Sequence, residues 1–452
     1  MYVDPNQLQA RAVKKEWCLA FLLLLVCLPV AAAPKIQHWQ TDDGAGVYFV
    51  PLRGLPIVDV AITFDAGSAR DPKGKAGLAL LTNSLLDEGA AGMDANAISF
   101  GFEKLGAQYG SDVDNDTASV SLRSLSDPKL LQPALANLRR VIGSPDFTDE
   151  ALQRQRNRLL VAIQGKQQSP GALANDALQA AIYGDHPYAT PTEGTDASVK
   201  ELDREAVQDF YQRYYTAGNA TIAIVGDVDK DQAAAIAGSL ARALHKGLPP
   251  PPLPPVPPLT AARDIHIPFD STQTNIMLGQ PGDYRGDPDY FTLYVGNHIL
   301  GGGGFESRLT KEVRVKRGLS YYAYSYFIPW RRPGPFMAAA ATRSREANES
   351  VAVMKQTITD YIKNGPTKEE LKAAKDNIIG GFPLKIDSNS DILGYVSMIG
   401  FYGLPLDYMD TFTRNVAAVT VKDIRTTFRR RLDVNHFVTV LVGQPASGEA
   451  QK

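Results

Sequence analysis

The chain has 452 residues, 44% of them hydrophobic and 21% charged, with a net charge of −2 and a pI near 6.3. That length can bury more than one core, and the near-neutral balance, without any basic run interleaved with aromatics, excludes the electrostatic footprint of a nucleic-acid binder. The two cysteines, Cys18 and Cys27, both fall in the first thirty residues, so a chain lacking that stretch must hold itself together by burial rather than by disulfides.

Lys14-Lys15, the apolar run from Trp17 to Val30 and the small residues Ala31-Ala32-Ala33 have the three-part layout of a secretory signal peptide. The run is short of the about 20 apolar residues of a membrane span. Cleavage is expected after Ala32, which makes residues 1–32 a leader; the mature chain is expected to be an exported, periplasmic protein with no membrane anchor. Translation is expected to begin at Val13, because the residues before Lys14 are long and polar for a leader. Bulky Val26 disfavours lipid attachment at Cys27.

Past the leader, Gly46–Pro51 and Ile57–Phe64 read as strands around a turn at 52–56. Residues 72–89 read as a helix started by Pro72 and stopped by Gly89, with an apolar run fit to pack on a sheet. Ala95 to Leu105 reads as a helix, and Val113 to Leu125 as paired strands. Helical patterns follow at 128–143, 148–167, 172–183 and 203–214, before an apolar strand from Ala220 that ends at Gly226.

Pro249 to Pro258 holds eight prolines in ten residues and reads as a stiff extended spacer. Beyond it the first half recurs. Asp71-Pro72 is echoed by Asp287-Pro288, Ala181-Ile182-Tyr183-Gly184 by Gly400-Phe401-Tyr402-Gly403, and Ala223-Ile224-Val225-Gly226 by Val440-Leu441-Val442-Gly443, all at nearly one spacing. The expected fold class is α+β: two homologous α/β-sandwich domains, each an antiparallel-rich sheet packed with helices, at 38–246 and 260–445, with 247–259 as linker.

The six histidines, at 38, 186, 245, 266, 298 and 436, never stand four apart, and no Ser-His-Asp grouping is visible. Gly301-Gly302-Gly303-Gly304 lacks the Gly-Lys-Ser/Thr that would make it a phosphate loop, and reads instead as a helix-to-strand hinge able to pair with an extended peptide.

Gly77-Leu78-Ala79 and Leu85-Leu86 match the frame Gly-Leu-Ala-His-x-x-Glu-His-Leu-Leu, and the chain thereby resembles the pitrilysin/insulinase (inverzincin) zinc peptidases over nearly all of 38–443. The positions that carry chemistry in that family here read Leu80, Asn83 and Ser84. Leu80 has no donor atom, Ser84 is a poor zinc ligand, and the amide of Asn83 cannot act as a base. In the segment resembling the later helix that carries the third ligand, Gln155 and Ala162 replace the two glutamates. No metal site is expected on this chain.

A second stretch, Arg314 on a helix and Tyr321 seven residues on past Gly318-Leu319, resembles the family's arginine and tyrosine motif. The resemblance implies that the arginine holds a substrate carbonyl and the tyrosine hydroxyl steadies the charge on the scissile carbonyl in a zinc site in another domain. Without the family context, Arg314 reads as part of a solvated basic face with Lys311, Lys316 and Arg317. With it, the chain is expected to be the non-catalytic, substrate-binding subunit of an exported heterodimeric metallopeptidase acting on small unfolded peptides. Arg314 and Tyr321 serve the site of a homologous zinc-bearing partner, and Gly301, Gly302, Gly303 and Gly304 lie beside the substrate. The alternative is a homodimeric, non-enzymatic peptide-binding or structural protein of the same fold.

Overall fold

A computed structural model describes residues 35–444; the leader expected over 1–32 lies outside them. Thirteen strands account for the sheets: β1 (Gln37–Gln40), β2 (Gly46–Pro51), β3 (Ile57–Phe64), β4 (Gly89–Ala90), β5 (Met93–Asp94), β6 (Gln108–Val113), β7 (Ala118–Leu125), β8 (Ala220–Gly226), β9 (Arg263–Pro268), β10 (Gln273–Pro281), β11 (Ser320–Phe327), β12 (Pro335–Arg343) and β13 (Val438–Gly443). The first sheet runs β1-β2-β8-β3-β7-β6 and the second β11-β12-β10-β13-β9, while β4 and β5 form a small hairpin.

Leaving out β1, the two large sheets have one topology. Each is antiparallel except for one parallel pair, β2 with β8 and β9 with β13. The echoes in the sequence therefore reflect a duplicated α+β unit. Apolar alternation explains the burial: Ala118, Val120 and Leu122 of β7 point into the core while Ser119, Ser121 and Arg123 are half-buried.

Neither sheet is covered by its own half alone. The Pro170–Tyr183 helix, from the first half, lies on β10 and β13 of the second sheet, where Ala174, Leu178, Ile182 and Tyr183 join Met277, Met337, Val438, Val440 and Val442 in one core. Its counterpart, the Asn389–Tyr402 helix of the second half, lies on β3 and β8. The approach is close enough that a Cβ at Gly400 would stand 2.6 Å from the Tyr48 ring and 2.7 Å from the Thr221 methyl. Each half thus completes the other's core with an exchanged helix.

A buried carboxylate ties the same junction. Asp116, in the β6–β7 turn, accepts hydrogen bonds from the Tyr188 hydroxyl at 2.5 Å, the Tyr402 hydroxyl at 2.9 Å and the Arg331 backbone N–H at 2.6 Å. Burial pushes its carboxyl upward in pKa. The proline-rich segment is extended, as its composition dictates, and side chains from both halves hold it. Arg70 donates to the Pro251 carbonyl at 2.8 Å, Arg332 donates twice to the Leu253 carbonyl at 2.8 and 2.6 Å, and the Leu253 side chain is buried.

Two expected elements differ. The helix expected over 72–89 spans only Leu78–Ser84. The Asp71 carboxylate accepts from the Gly77 and Ala79 amides at 2.8 Å each, which puts the helix start after Gly77, itself at φ +90°, and leaves Pro72 in the preceding turn. The strands expected within 113–125 reduce to β7, whose partner β6 lies earlier, because the Asp114–Thr117 turn uses up the residues between. No helix among the described residues is long and apolar enough to cross a membrane.

Candidate functional site

The Leu78–Ser84 helix packs on the first sheet and the Arg204–Tyr214 helix. Asn83 is fully buried on it. Its amide nitrogen donates to the Asp112 and Ser119 carbonyls at 3.2 and 3.3 Å, bridging β6 and β7, and its oxygen accepts from the Tyr215 hydroxyl at 3.0 Å. Two carbonyls on one side and a hydroxyl on the other fix which end of the amide is which. Both donated bonds of Asn83 thus hold the helix to the sheet, and its oxygen is tied to Tyr215.

The other positions of that frame are equally committed. Leu80 packs against the first core, and the Ser84 hydroxyl bonds back to the Leu81 carbonyl at 3.0 Å. On the Asp149–Lys166 helix, the Gln155 amide donates to the Glu88 carboxylate and Ala162 is exposed. Glu88 is in turn held by Arg154 at 2.9 Å and Arg158 at 3.1 Å.

In the second half, residues Thr310–Val315 form a π-helical turn, a wide local geometry often found at functional sites. Gly318, at φ +63°, then turns the chain into β11. This brings Arg314 back over Tyr321: the guanidinium carbon lies 4.7 Å from the centre of the Tyr321 ring and 4.7 Å from that of Phe305. Tyr321 is 80% exposed and Phe305 68%. The neighbouring bases are occupied, since Glu312 pairs with Lys316 at 2.5 Å and Arg317 at 2.7 Å, which holds its carboxyl below its ordinary pKa. Arg314 has no such carboxylate among the described residues.

The glycine run is not the expected helix-to-strand hinge. Gly301 and Gly302 end a π-helical segment, His298–Gly302, and Gly304 opens a 3-10 turn, Gly304–Glu306. Gly301 is buried against β11, where a Cβ would come within 2.3 Å of the Ser325 amide nitrogen, and a Cβ on Gly303 would meet the His298 carbonyl at 2.6 Å. Small residues are needed here for close packing. Only Gly304, at φ +62°, is exposed, and it turns the chain toward Phe305.

The edge strand behind the run is held by Asn297, which donates to the Ser325 carbonyl at 2.8 Å and accepts from the Ser325 hydroxyl at 2.6 Å, and by Thr310, which donates to the Ala323 carbonyl at 2.9 Å. Sequence reasoning missed Asn297. A match at fixed offset does not find it, since Asn297 stands 10 residues after Asp287 whereas Asn83 stands 12 after Asp71.

Residues 54–196 match the model of the insulinase (peptidase family M16) domain, and residues 201–378 that of the peptidase M16 inactive domain. A crystal structure of a peptidase M16 inactive domain from Pseudomonas fluorescens superposes with a TM-score of 0.88 at 40% identity, over 92% of this chain and 99% of that one. The chain belongs to peptidase family M16. Among M16 relatives, the non-peptidase homolog YmxG of Helicobacter pylori is 23% identical over 93% of this chain and 97% of its own. The uncharacterized zinc protease YmxG of Bacillus subtilis is 22% identical over 78% of this chain and 85% of its own.

The residues at the family's metal frame do not fit zinc. An aliphatic side chain, a buried hydrogen-bonded amide, a back-bonded hydroxyl and an exposed methyl supply no ligand set. Among the described residues no three His, Cys, Asp or Glu side chains cluster to hold a metal ion. Arg314, Tyr321 and the glycine run all lie within the stretch matching the M16 inactive domain.

Proposed function

We propose that this chain is the non-catalytic, substrate-binding subunit of an exported heterodimeric M16 peptidase that degrades small unfolded peptides. A homologous zinc-bearing subunit supplies the metal, and this chain supplies Arg314 and Tyr321 to the shared site. The observation that carries the reading is the Arg314–Tyr321 pair. Its guanidinium is held between two rings and left without a carboxylate, while the bases around it are neutralised. A solvated basic face gives no reason for that arrangement; a donor fork kept for a substrate carbonyl does. The match to the M16 inactive domain and the name of the Helicobacter relative support the absence of catalysis by the chain alone.

In this reading the stacked rings, each contact worth about 0.5–1 kcal/mol, hold the guanidinium in one orientation so that binding substrate does not have to order it. The exposed phenol donates to the oxygen of the peptide bond under attack. Gly304 and Phe305 form the tip beside the extended substrate.

The test is purification from the native host followed by reconstitution. A homologous chain with an intact His-x-x-Glu-His should accompany this one, and the mixture should cleave peptides. Tyr321→Phe should slow the mixture by about 10²-fold, the cost of one lost oxyanion donor, with unchanged thermal stability because the side chain is exposed. Unchanged turnover would remove the mechanism. Recovery of a homodimer alone would favour the peptide-binding or structural alternative.

A further inference from the structure

We infer that a cleft in the second half, centred on Arg285, binds the carboxyl end of a peptide whose last side chain is aromatic or bulky and apolar. The inference rests on the reading of this chain as one that handles peptides, and it assigns a site apart from Arg314 and Tyr321.

Two adjoining cavities, of about 440 and 480 Å³, share Arg285, Tyr290, Tyr294 and Lys385 as a common wall. The Arg285 Nε atom is buried with no hydrogen-bond partner. A buried guanidinium nitrogen left unpaired is costly, and an arginine fork suits a carboxylate. The acids nearby do not serve it: Asp287 and Asp289 are taken by Arg430 and Arg431. Lys385, at the rim, donates to the Tyr294 hydroxyl at 3.1 Å and adds a second positive charge.

Asp283 also lines the cleft, is 1% exposed, and has one carboxylate oxygen without a partner. Burial and the neighbouring Asp287 push it up to about 7 against the pull of Arg285 and Arg431. Below that pH it is an acid that can donate a hydrogen bond to an incoming carboxylate. Asp391, on the other side, is engaged with Ser388 at the start of its helix.

The walls specify more than an anion. Tyr290 and Tyr294 stack with centroids 6.0 Å apart, and Tyr408 and Phe412 close the far side, so the cleft has apolar volume that a bare phosphate would leave unfilled. Tyr326 lines the same cleft and is the last of a ladder along β11, Tyr322 to Tyr324 to Tyr326, with centroids 5.6 and 5.2 Å apart. Rings at every second strand residue suit an extended chain laid alongside.

The experiment uses the isolated chain, with neither a partner nor zinc, so that its failure is separate from failure of the heterodimer. Calorimetric titration with Ala-Ala-Phe as the free acid should give saturable binding. The C-terminal amide of the same peptide, and Arg285→Gln titrated with the free acid, should each bind at least tenfold more weakly. Lys385→Gln, an exposed substitution that leaves the fold alone, should weaken binding severalfold and serves if Arg285→Gln does not fold. Equal binding of acid and amide, no saturation at millimolar peptide, or inorganic phosphate binding as well as the peptide would each overturn the assignment.

Discussion

The two halves use one device in two settings. Each begins with an Asp-Pro turn, and each places an asparagine on the helix that follows, bonded through its amide to a carbonyl of the sheet's edge strand: Asn83 to Asp112 on β6, and Asn297 to Ser325 on β11. In the first half this is the position where the family frame carries its catalytic base. The comparison teaches that the first half has not merely lost a site. Its base position has become the same structural lock that the second half employs, with Tyr215 added as a third partner.

The halves differ at the Asp-Pro turn. Asp287 is paired with Arg431, whereas Asp71 faces only the amides of its own helix. They differ again in what the edge strand leads to. β11 continues into the Tyr321 side chain and the tyrosine ladder, and its half keeps an arginine free of carboxylates.

The largest expected effect falls on the lock. Asn83→Ala strands the Tyr215 hydroxyl and removes the donor from two carbonyls, at about 1–3 kcal/mol for a buried group left unpaired. The loss in urea unfolding should be about 3 kcal/mol or more, and it should exceed that of Asn297→Ala, whose partners are a single residue, Ser325. Similar losses in the two variants would break the distinction drawn at Tyr215, and a negligible loss at Asn83 would break the lock itself.

A smaller effect should follow pH. Burial pushes the Asp71 carboxyl up to about 7, against its helix amides. The native chain then keeps a proton that the unfolded chain releases from about pH 4 upward, so stability falls as pH rises through about 4 to 7 and levels off above. The slope from this group is at most about 1.4 kcal/mol per pH unit. Asp71→Asn should reduce the slope, leaving the share due to Asp283, Asp116 and the other aspartates that burial raises in the same direction. A curve unchanged by the substitution would show that Asp71 is ionised and solvated in the native chain.

The duplication was legible because turn chemistry repeats: Asp-Pro, Tyr-Gly and Val-Gly mark equivalent points in both halves. The loss of metal donors was equally legible, since Leu80 and Ala162 have none in any fold. The exchange of the Pro170–Tyr183 and Asn389–Tyr402 helices was not. An apolar helix face announces that it will be buried and is silent on which sheet will cover it. The length of the first helix was misjudged because the apolar run extends past Ser84, while the cap that decides its start comes from Asp71, which reads as ordinary turn chemistry. The glycine run was misread for a related reason: composition suggests freedom, and only the packing of Gly301 on Ser325 and of Gly303 on His298 shows that these two are glycine for want of space, while Gly304 serves a turn at positive φ. Arg285 left no trace in the sequence, because an unpaired guanidinium is defined by what the fold keeps away from it.

The most direct measurement is the metal content and peptidase activity of the purified chain, free of any companion and equilibrated with excess zinc before desalting. Elemental analysis should find zinc far below one per chain, with no cleavage of unfolded peptides until a zinc-bearing homologue is added. One zinc per chain together with cleavage by the chain alone would contradict the account.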